Sequence, residues 1–216
     1  MIHSFIDFIH KITQPEELSH LVDTVLSGWW IYIAMAGIIF AETGLLLGFV
    51  LPGDSLLFTL GVVAGSGKIN IFLLIAILFV SAMIGDSFGY YLGHRTGPRI
   101  FSRPDSRFFK QEYIHRTQIF FEKYGGKTVL FARFIPVIRS FAPFMAGVGK
   151  LPYPTFLTYS LFGNAVWVGV LTMLGFYLGN VPLIKNNFEK AILIVIAISF
   201  LPAVIEYIRH KRTNIG

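Results

Sequence analysis

Residues 40–58 read FAETGLLLGFVLPGDSLLF, an apolar segment that carries two carboxylates, Glu42 and Asp54. The uncharged runs around and between these two residues are shorter than the roughly 20 apolar residues of a simple transmembrane helix. Glycine and proline interrupt the segment further, at Gly44, Gly48, Pro52 and Gly53. This pattern favours a re-entrant helical hairpin, which enters a bilayer and returns to the same face.

Residues 131–147, FARFIPVIRSFAPFMAG, repeat the pattern with two arginines, Arg133 and Arg139, in place of the carboxylates. Pro136 and Pro143 interrupt this segment, so a second re-entrant hairpin is expected. An ionisable side chain near the centre of a bilayer costs about 2.5–3.5 kcal/mol on insertion scales. We therefore expect the four charges to converge on one polar cavity within the membrane, where opposite signs compensate each other.

The composition indicates an all-α integral membrane protein. The 216-residue chain is 54% hydrophobic and 14% charged, with a mean hydropathy of +0.65. Soluble proteins carry about 25% charged residues. Residues 1–216 are long enough for one membrane domain, and the absence of cysteine excludes a disulfide. The net charge of +6 fits basic loops that face the cytoplasm, and a nucleic-acid partner is not expected.

About three transmembrane helices are predicted. Residues 69–93 can span the bilayer once, the uncharged residues 151–184 a second time, and a C-terminal helix at about 188–208 a third time. The basic segment Arg95–Lys127 and the basic C-terminus are predicted to be cytoplasmic, which makes the chain a multi-pass protein of the plasma membrane.

The basic segment also carries aromatic and apolar residues at roughly helical spacing. They are Phe108, Phe109, Tyr113, Ile114, Phe120, Phe121 and Tyr124. An amphipathic helix that lies on the cytoplasmic interface is expected. Such a helix either anchors the fold or binds lipid headgroups through its basic face, and the sequence leaves both open.

Four short sequence echoes occur in the same order in two halves of the chain, about 24–94 and about 127–184. They are Phe40-Ala41-Glu42 with Phe131-Ala132-Arg133, Ala64-Gly65 with Ala146-Gly147, Gly85-Asp86 with Gly163-Asn164, and Gly89-Tyr90-Tyr91-Leu92-Gly93 with Gly175-Phe176-Tyr177-Leu178-Gly179. An odd number of membrane crossings separates equivalent elements. The echoes therefore predict an inverted-topology repeat whose two hairpins meet near the midplane around a substrate.

These motifs, together with Leu51-Pro52-Gly53-Asp54 and the run from Phe131 to Gly147, resemble the DedA family of bacterial membrane proteins, which groups with the VTT-domain proteins. The resemblance covers most of the chain. It implies two opposed re-entrant loops and lipid transport, of undecaprenyl phosphate or of phospholipids, linked to the proton motive force of the bacterial inner membrane. The essential acidic pair of the family falls on Glu42 and Asp54, and its essential arginine pair on Arg133 and Arg139.

The chemistry of these residues supports the same roles. A guanidinium group stays protonated and offers a planar fork that fits phosphate oxygens, so Arg133 and Arg139 are candidate phosphate-binding residues. A carboxylate in a cavity of low dielectric can exchange protons near neutral pH, so Glu42 and Asp54 are candidates for proton coupling. A further hypothesis is that all four residues form static salt bridges between the hairpins.

Secondary candidates come from the same sequence motifs and echoes. Asp86 belongs to the small-residue face Gly85-Gly89-Gly93, and there it is either a packing and hydrogen-bonding residue or a third proton carrier. The other secondary candidates are Asn164, Pro52, Gly53 and Pro136.

Two further functions remain open. The carboxylates could serve a proton-coupled ion or drug antiporter, although buried arginines repel cations. An enzyme acting on polyprenyl phosphates would need an activated nucleophile or a metal-bound water, and no intramembrane histidine or cysteine provides one. We expect no enzyme activity, no metal and no cofactor, and a homo-oligomer is possible. The expected partners are membrane lipids and protons.

Overall fold

The computed structural model describes residue 14 and residues 28–45, 53–100 and 111–178. Several predictions lie outside the described residues: those for Pro52, for the C-terminal helix at about 188–208 and for the cytoplasmic C-terminus.

The described part of the chain is helical and contains no strand, which confirms the all-α class. Seven helices follow one another: α1 (Trp29–Gly44), α2 (Gly53–Gly65), α3 (Ile71–Ile100), α4 (Gln111–Tyr124), α5 (Lys127–Ala132), α6 (Pro136–Val148) and α7 (Tyr153–Leu178).

Two of these helices, Ile71–Gly97 within α3 and Tyr153–Leu178, are long and apolar enough to cross a membrane, while α1 and α2 are shorter apolar helices. Large apolar side chains on both long helices point outward, among them Phe72, Val80, Ile84, Phe162, Val166 and Val170. An apolar outer surface of this kind suits a bilayer, because lipid tails solvate it as well as a protein core would.

Helix α3 continues beyond residue 93, where the first span was expected to end. The Arg95 guanidinium donates to the Tyr91 hydroxyl at 2.8 Å, and the Thr96 hydroxyl donates to the Leu92 carbonyl. The helix therefore continues without a break from its apolar part into a polar end. A long basic side chain such as Arg95 is tolerated there because it can reach the polar interface of a membrane.

Proline and the residue before it separate α5 from α6. Arg133 follows the end of α5, and Ile135 is extended, with φ −112° and ψ 109°, directly before Pro136 at the start of α6. A residue before proline is driven out of the helical region by the proline ring, and this explains the break. The prediction that Pro136 interrupts this segment is confirmed.

Glycines let the helices cross closely. A Cβ on Gly61 of α2 would overlap the Thr172 carbonyl of α7, and a Cβ on Gly175 would overlap the Phe58 carbonyl of α2. Helices α3 and α6 make a similar crossing, because Cβ atoms on Gly93 and Gly147 would overlap backbone atoms of the opposite helix. Close backbone approach through small residues is the usual way in which membrane helices associate.

Helix α1 packs along α3, and the core of this region is formed by buried aliphatic side chains of α1, α2 and α3. The largest are Met35, Ile39, Leu56, Leu57, Leu60, Leu74 and Leu78.

Helix α4 lies within the predicted amphipathic segment. Phe121 on this helix is buried beside Gly149, while Ile119, Phe120 and Tyr124 are exposed.

Candidate functional site

Arg139, the fourth residue of α6, contacts both carboxylates of the first segment. Its Nη2 donates to Glu42 Oε1 at 2.5 Å, and its Nη1 donates to Asp54 Oδ1. Glu42 lies in the last turn of α1 and Asp54 in the first turn of α2. The three side chains are almost fully buried, so the fork of one guanidinium joins the ends of three helices.

Gly53 makes room for this contact. A Cβ at position 53 would overlap the carboxylate of Glu42, so any larger residue would displace the acid from Arg139. The secondary candidate Gly53 therefore lies directly against the cluster, and the requirement is steric.

Arg133 pairs with a different carboxylate. Its Nη2 donates to Asp86 Oδ2 on α3, and the same oxygen accepts hydrogen bonds from the Ser160 hydroxyl and, at 2.8 Å, from Asn164 Nδ2 on α7. Gly163 borders the arginine, and a Cβ there would lie at an ordinary van der Waals distance of 3.6 Å from Arg133 Nε. Asp86 thus makes the hydrogen bonds expected of a packing residue, and it is also an ion-pair partner.

Trp167 on α7 contacts both ion clusters. Its indole Nε1 donates to Asp54 Oδ1 at 2.7 Å. The Cζ atoms of Arg139 and Arg133 lie 4.7 and 5.7 Å from the centre of its ring. The two guanidinium groups are therefore no farther apart than the sum of these distances, and both lie within range of a cation–π contact.

The buried charges of the described residues do not balance. They are three carboxylates, Glu42, Asp54 and Asp86, and two guanidinium groups. In the same part of the chain, Glu42 Oε2 and Asp86 Oδ1 are buried carboxylate oxygens without a hydrogen-bond partner. A buried polar atom without a partner is costly, so these oxygens can take up a proton or a donor.

The sequence predicted the meeting of Arg139 with Glu42 and Asp54 but not every partner. Arg133 and Arg139 were expected to share one cavity with the two acids. Both guanidinium groups contact Trp167, and the carboxylate that pairs with Arg133 is Asp86 rather than Glu42 or Asp54. Trp167 and Ser160 were missed. A signal for Trp167 was present, because it lies in the middle of the uncharged run 151–184, away from the interface positions that tryptophan usually occupies.

Metal-binding clusters of histidine, cysteine, aspartate or glutamate are absent from the residues that the structure describes. The carboxylate oxygens instead accept hydrogen bonds from arginine, tryptophan, serine and asparagine side chains. The arrangement can hold an anion at a guanidinium fork, and it can hold protons on carboxylates.

The fold and the site together define a helical membrane protein with an ion-paired cluster buried where broken helices meet. The VTT domain family model matches residues 51–177. The chain is 40% identical over 215 residues to Protein DedA of Escherichia coli (strain K12), covering 98% of this chain and 96% of that one. The chain belongs to the DedA family of VTT-domain membrane proteins.

Other relatives support the membrane class. The chain is 46% identical over 168 residues to an uncharacterised membrane protein of Mycobacterium leprae, covering 78% of this chain and 75% of the relative. It is 30% identical over 175 residues to the inner membrane protein YghB of Escherichia coli (strain K12), covering 80% of each. No solved structure matches the chain.

Proposed function

We propose that this protein moves an anionic lipid phosphate, undecaprenyl phosphate or a phospholipid, across the bacterial plasma membrane in a step linked to the proton motive force. The observation that carries the proposal is the buried fork of Arg139, held by Glu42 and Asp54 at the ends of two helices. Arginine binds carboxylate and phosphate with the same two-pronged geometry, so a lipid phosphate can replace the carboxylates.

The charge count supports a link to protons. With all five groups ionised, the three carboxylates and two guanidinium groups leave one negative charge uncompensated, and burial makes such a charge expensive. One bound proton removes it. A lipid phosphate at Arg139 adds another negative charge, which calls for a second proton, and Glu42 Oε2 is a buried oxygen free to accept one. Lipid binding should therefore take up protons.

An inverted repeat with two opposed re-entrant hairpins is part of the proposal, and two contacts support it. By the sequence echoes, α2 of the first half corresponds to α6 of the second, and α3 corresponds to α7. Helix α2 packs on α7 while α3 packs on α6, so each pair of contacting helices maps onto the other under a two-fold rotation. Asp86 and Asn164, which echo each other in the sequence, hydrogen-bond to each other. Equivalent residues meet in this way only close to a two-fold axis, where transporters of this design bind their substrates.

A liposome assay tests the function. Purified protein is reconstituted with and without a pH gradient, and the amount of undecaprenyl phosphate or phosphatidylglycerol in each leaflet is measured over time. We expect transport that responds to the gradient, and no protein-dependent movement of a neutral glycosyl diacylglycerol, whose sugar headgroup keeps it in its leaflet and which lacks the phosphate. Wild-type protein that moves neither anionic lipid would refute the proposal, and gradient-driven cation movement in the same vesicles would favour the antiporter.

A neutralised variant separates transport from a static salt-bridge role. Arg139→Met alone leaves the buried carboxylates of Glu42 and Asp54 without an opposite charge, which is expected to cost about 3–5 kcal/mol. Adding Glu42→Gln and Asp54→Asn removes those charges and should restore accumulation in the membrane. If the ion pairs only hold the fold, this triple variant should still transport lipid. The proposal expects an accumulated protein that does not.

A further inference from the structure

Trp167 contacts both ion clusters. Its side chain is buried, only 6% exposed, in the middle of α7. Its indole N–H donates to Asp54 Oδ1, the same oxygen that accepts from Arg139 Nη1. Two donors from different helices thus share one carboxylate oxygen, and only one of them carries a charge.

The indole ring contacts Arg139 in a way that leaves the N–H groups of the guanidinium available for hydrogen bonds. The Cζ atom lies 4.7 Å from the ring centre, and a guanidinium at such a site is attracted by the ring face without giving up its N–H groups. Those N–H groups are the ones that contact Glu42 and Asp54. The ring can therefore stay in contact with the cation when its hydrogen-bond partners change.

This geometry matters when a phosphate competes for Arg139. If the guanidinium turns from Asp54 to a lipid phosphate, the oxygen of the buried carboxylate loses a charged donor, and an unsatisfied buried acceptor is costly. The indole N–H remains on that oxygen. Asp54 then keeps a partner and its position, and the exchange becomes easier.

We infer that Trp167 is a positioning residue that holds Asp54 in place while Arg139 exchanges its carboxylate partners for a lipid phosphate. The inference rests on the proposed function and assigns a role that requires the N–H group and not only the bulk of the side chain. A Trp that merely fills the core would also find a hydrogen-bond partner, so the test must separate the donor from the ring.

The first measurement uses the tryptophan itself. The chain has three tryptophans, and Trp29 and Trp30 are both 67% exposed, so Trp29→Phe with Trp30→Phe leaves Trp167 as the single emitter. Dioctanoyl phosphatidic acid is titrated into the full chain in detergent and the emission is followed. Dioctanoylglycerol and inorganic phosphate serve as controls that separate the lipid phosphate from the lipid tail and from free phosphate.

The second measurement compares two variants. Trp167→Phe keeps an aromatic face and removes the donor, and Trp30→Phe is the control on the exposed surface. Loss of a hydrogen bond to a charged group should weaken binding of phosphatidic acid roughly tenfold to a hundredfold. Binding is measured by vesicle co-flotation, because Trp167→Phe lacks the emitting side chain. In liposomes the apparent KM should rise by a similar factor while the maximal rate per folded protein is unchanged. If Trp167→Phe does not accumulate, benzothienylalanine at position 167 keeps the bicyclic ring and replaces the N–H with sulfur.

Each outcome gives a decision. A shift in Trp167 emission with phosphatidic acid, absent with dioctanoylglycerol, and a weaker affinity without the N–H support the inference. Wild-type affinity in the donor-free variant, or a lower maximal rate at unchanged KM, overturns it and leaves the proposed function in place. Failure of the wild-type protein to bind any anionic lipid, measured by co-flotation with vesicles that contain phosphatidic acid, overturns both.

Discussion

At the scale of single residues, the site depends on the shape of a guanidinium group as well as on its charge. Arg139 reaches two carboxylates that belong to different helices because its two terminal nitrogens diverge from one planar carbon. A lysine ammonium is a point charge on a flexible stem and cannot reproduce that fork. The difference provides a test that keeps the charge and changes only the geometry.

Arg139→Lys should therefore fold and accumulate but bind anionic lipid about tenfold more weakly or worse, because one charge-assisted hydrogen bond of the fork is lost. Arg95→Lys is a matched control, since Arg95 is exposed on α3 and donates to Tyr91. Vesicle co-flotation with phosphatidic acid measures the binding of both. Equal affinity in the two variants would remove Arg139 from the phosphate site.

Glu42→Gln tests the proton link. The amide keeps the size of the side chain and an oxygen that can accept from Arg139, but it cannot exchange a proton. We expect lipid binding to survive and the response of transport to an imposed pH gradient to disappear. The same liposome assay, run with and without the gradient, measures this, and a variant that still responds fully to the gradient would exclude Glu42 as a proton carrier.

The residue scale is also where sequence reasoning reached its limit. The signs and spacing of Glu42, Asp54 and Arg139 were enough to predict that they meet, because each buried charge needs a partner. The partner of Arg133 could not be chosen in that way. Pairing with Asp86 depends on how α3, α5 and α7 are rotated about their axes, and packing sets that rotation.

At the scale of elements, the sequence predicted the helix break and one small-residue face, Gly85-Gly89-Gly93, but not the other close crossings. Pro136 begins α6, and Ile135 before it is extended because proline disfavours the helical region at the preceding residue, so the sequence predicted the break for a local reason. Which glycines allow close crossings is a property of two elements at once. Gly61 and Gly169 look alike in the sequence, yet only Gly61 faces another backbone.

This contrast gives a prediction about stability. A methyl group at Gly61 would overlap the Thr172 carbonyl, so Gly61→Ala should force α2 and α7 apart and lower the free energy of unfolding by about 1–3 kcal/mol. Gly169→Ala, where nothing lies within 4 Å, should be neutral or slightly stabilising, because alanine favours a helix over glycine. Thermal unfolding in detergent measures both, and equal midpoints would contradict the crossing.

At the scale of the whole molecule, the sequence predicted the class and the number of elements in the described part better than their arrangement. Hydropathy indicated the two long helices, because a helix that crosses a bilayer needs about 20 consecutive apolar residues. The pairing of α2 with α7 and of α3 with α6 joins distant parts of the chain. Hydropathy cannot predict it, since lipid tails solvate every apolar face equally well.

The orientation in the membrane is the last prediction. If α3 crosses the bilayer, the turn at Ser66 and the helix α4 at Lys123 lie on opposite faces. The excess of lysine and arginine in the basic segment predicts that Lys123 is on the cytoplasmic face. The chain has no cysteine, so Ser66→Cys and Lys123→Cys each introduce a single thiol. A membrane-impermeant maleimide should label residue 66 in intact cells and residue 123 only after permeabilisation. Asn187→Cys, beyond the described residues, should label like residue 66 if α7 crosses once after the second hairpin. Labelling of residues 66 and 123 from the same side would contradict a spanning α3, and labelling of residue 187 with residue 123 would contradict a single crossing by α7.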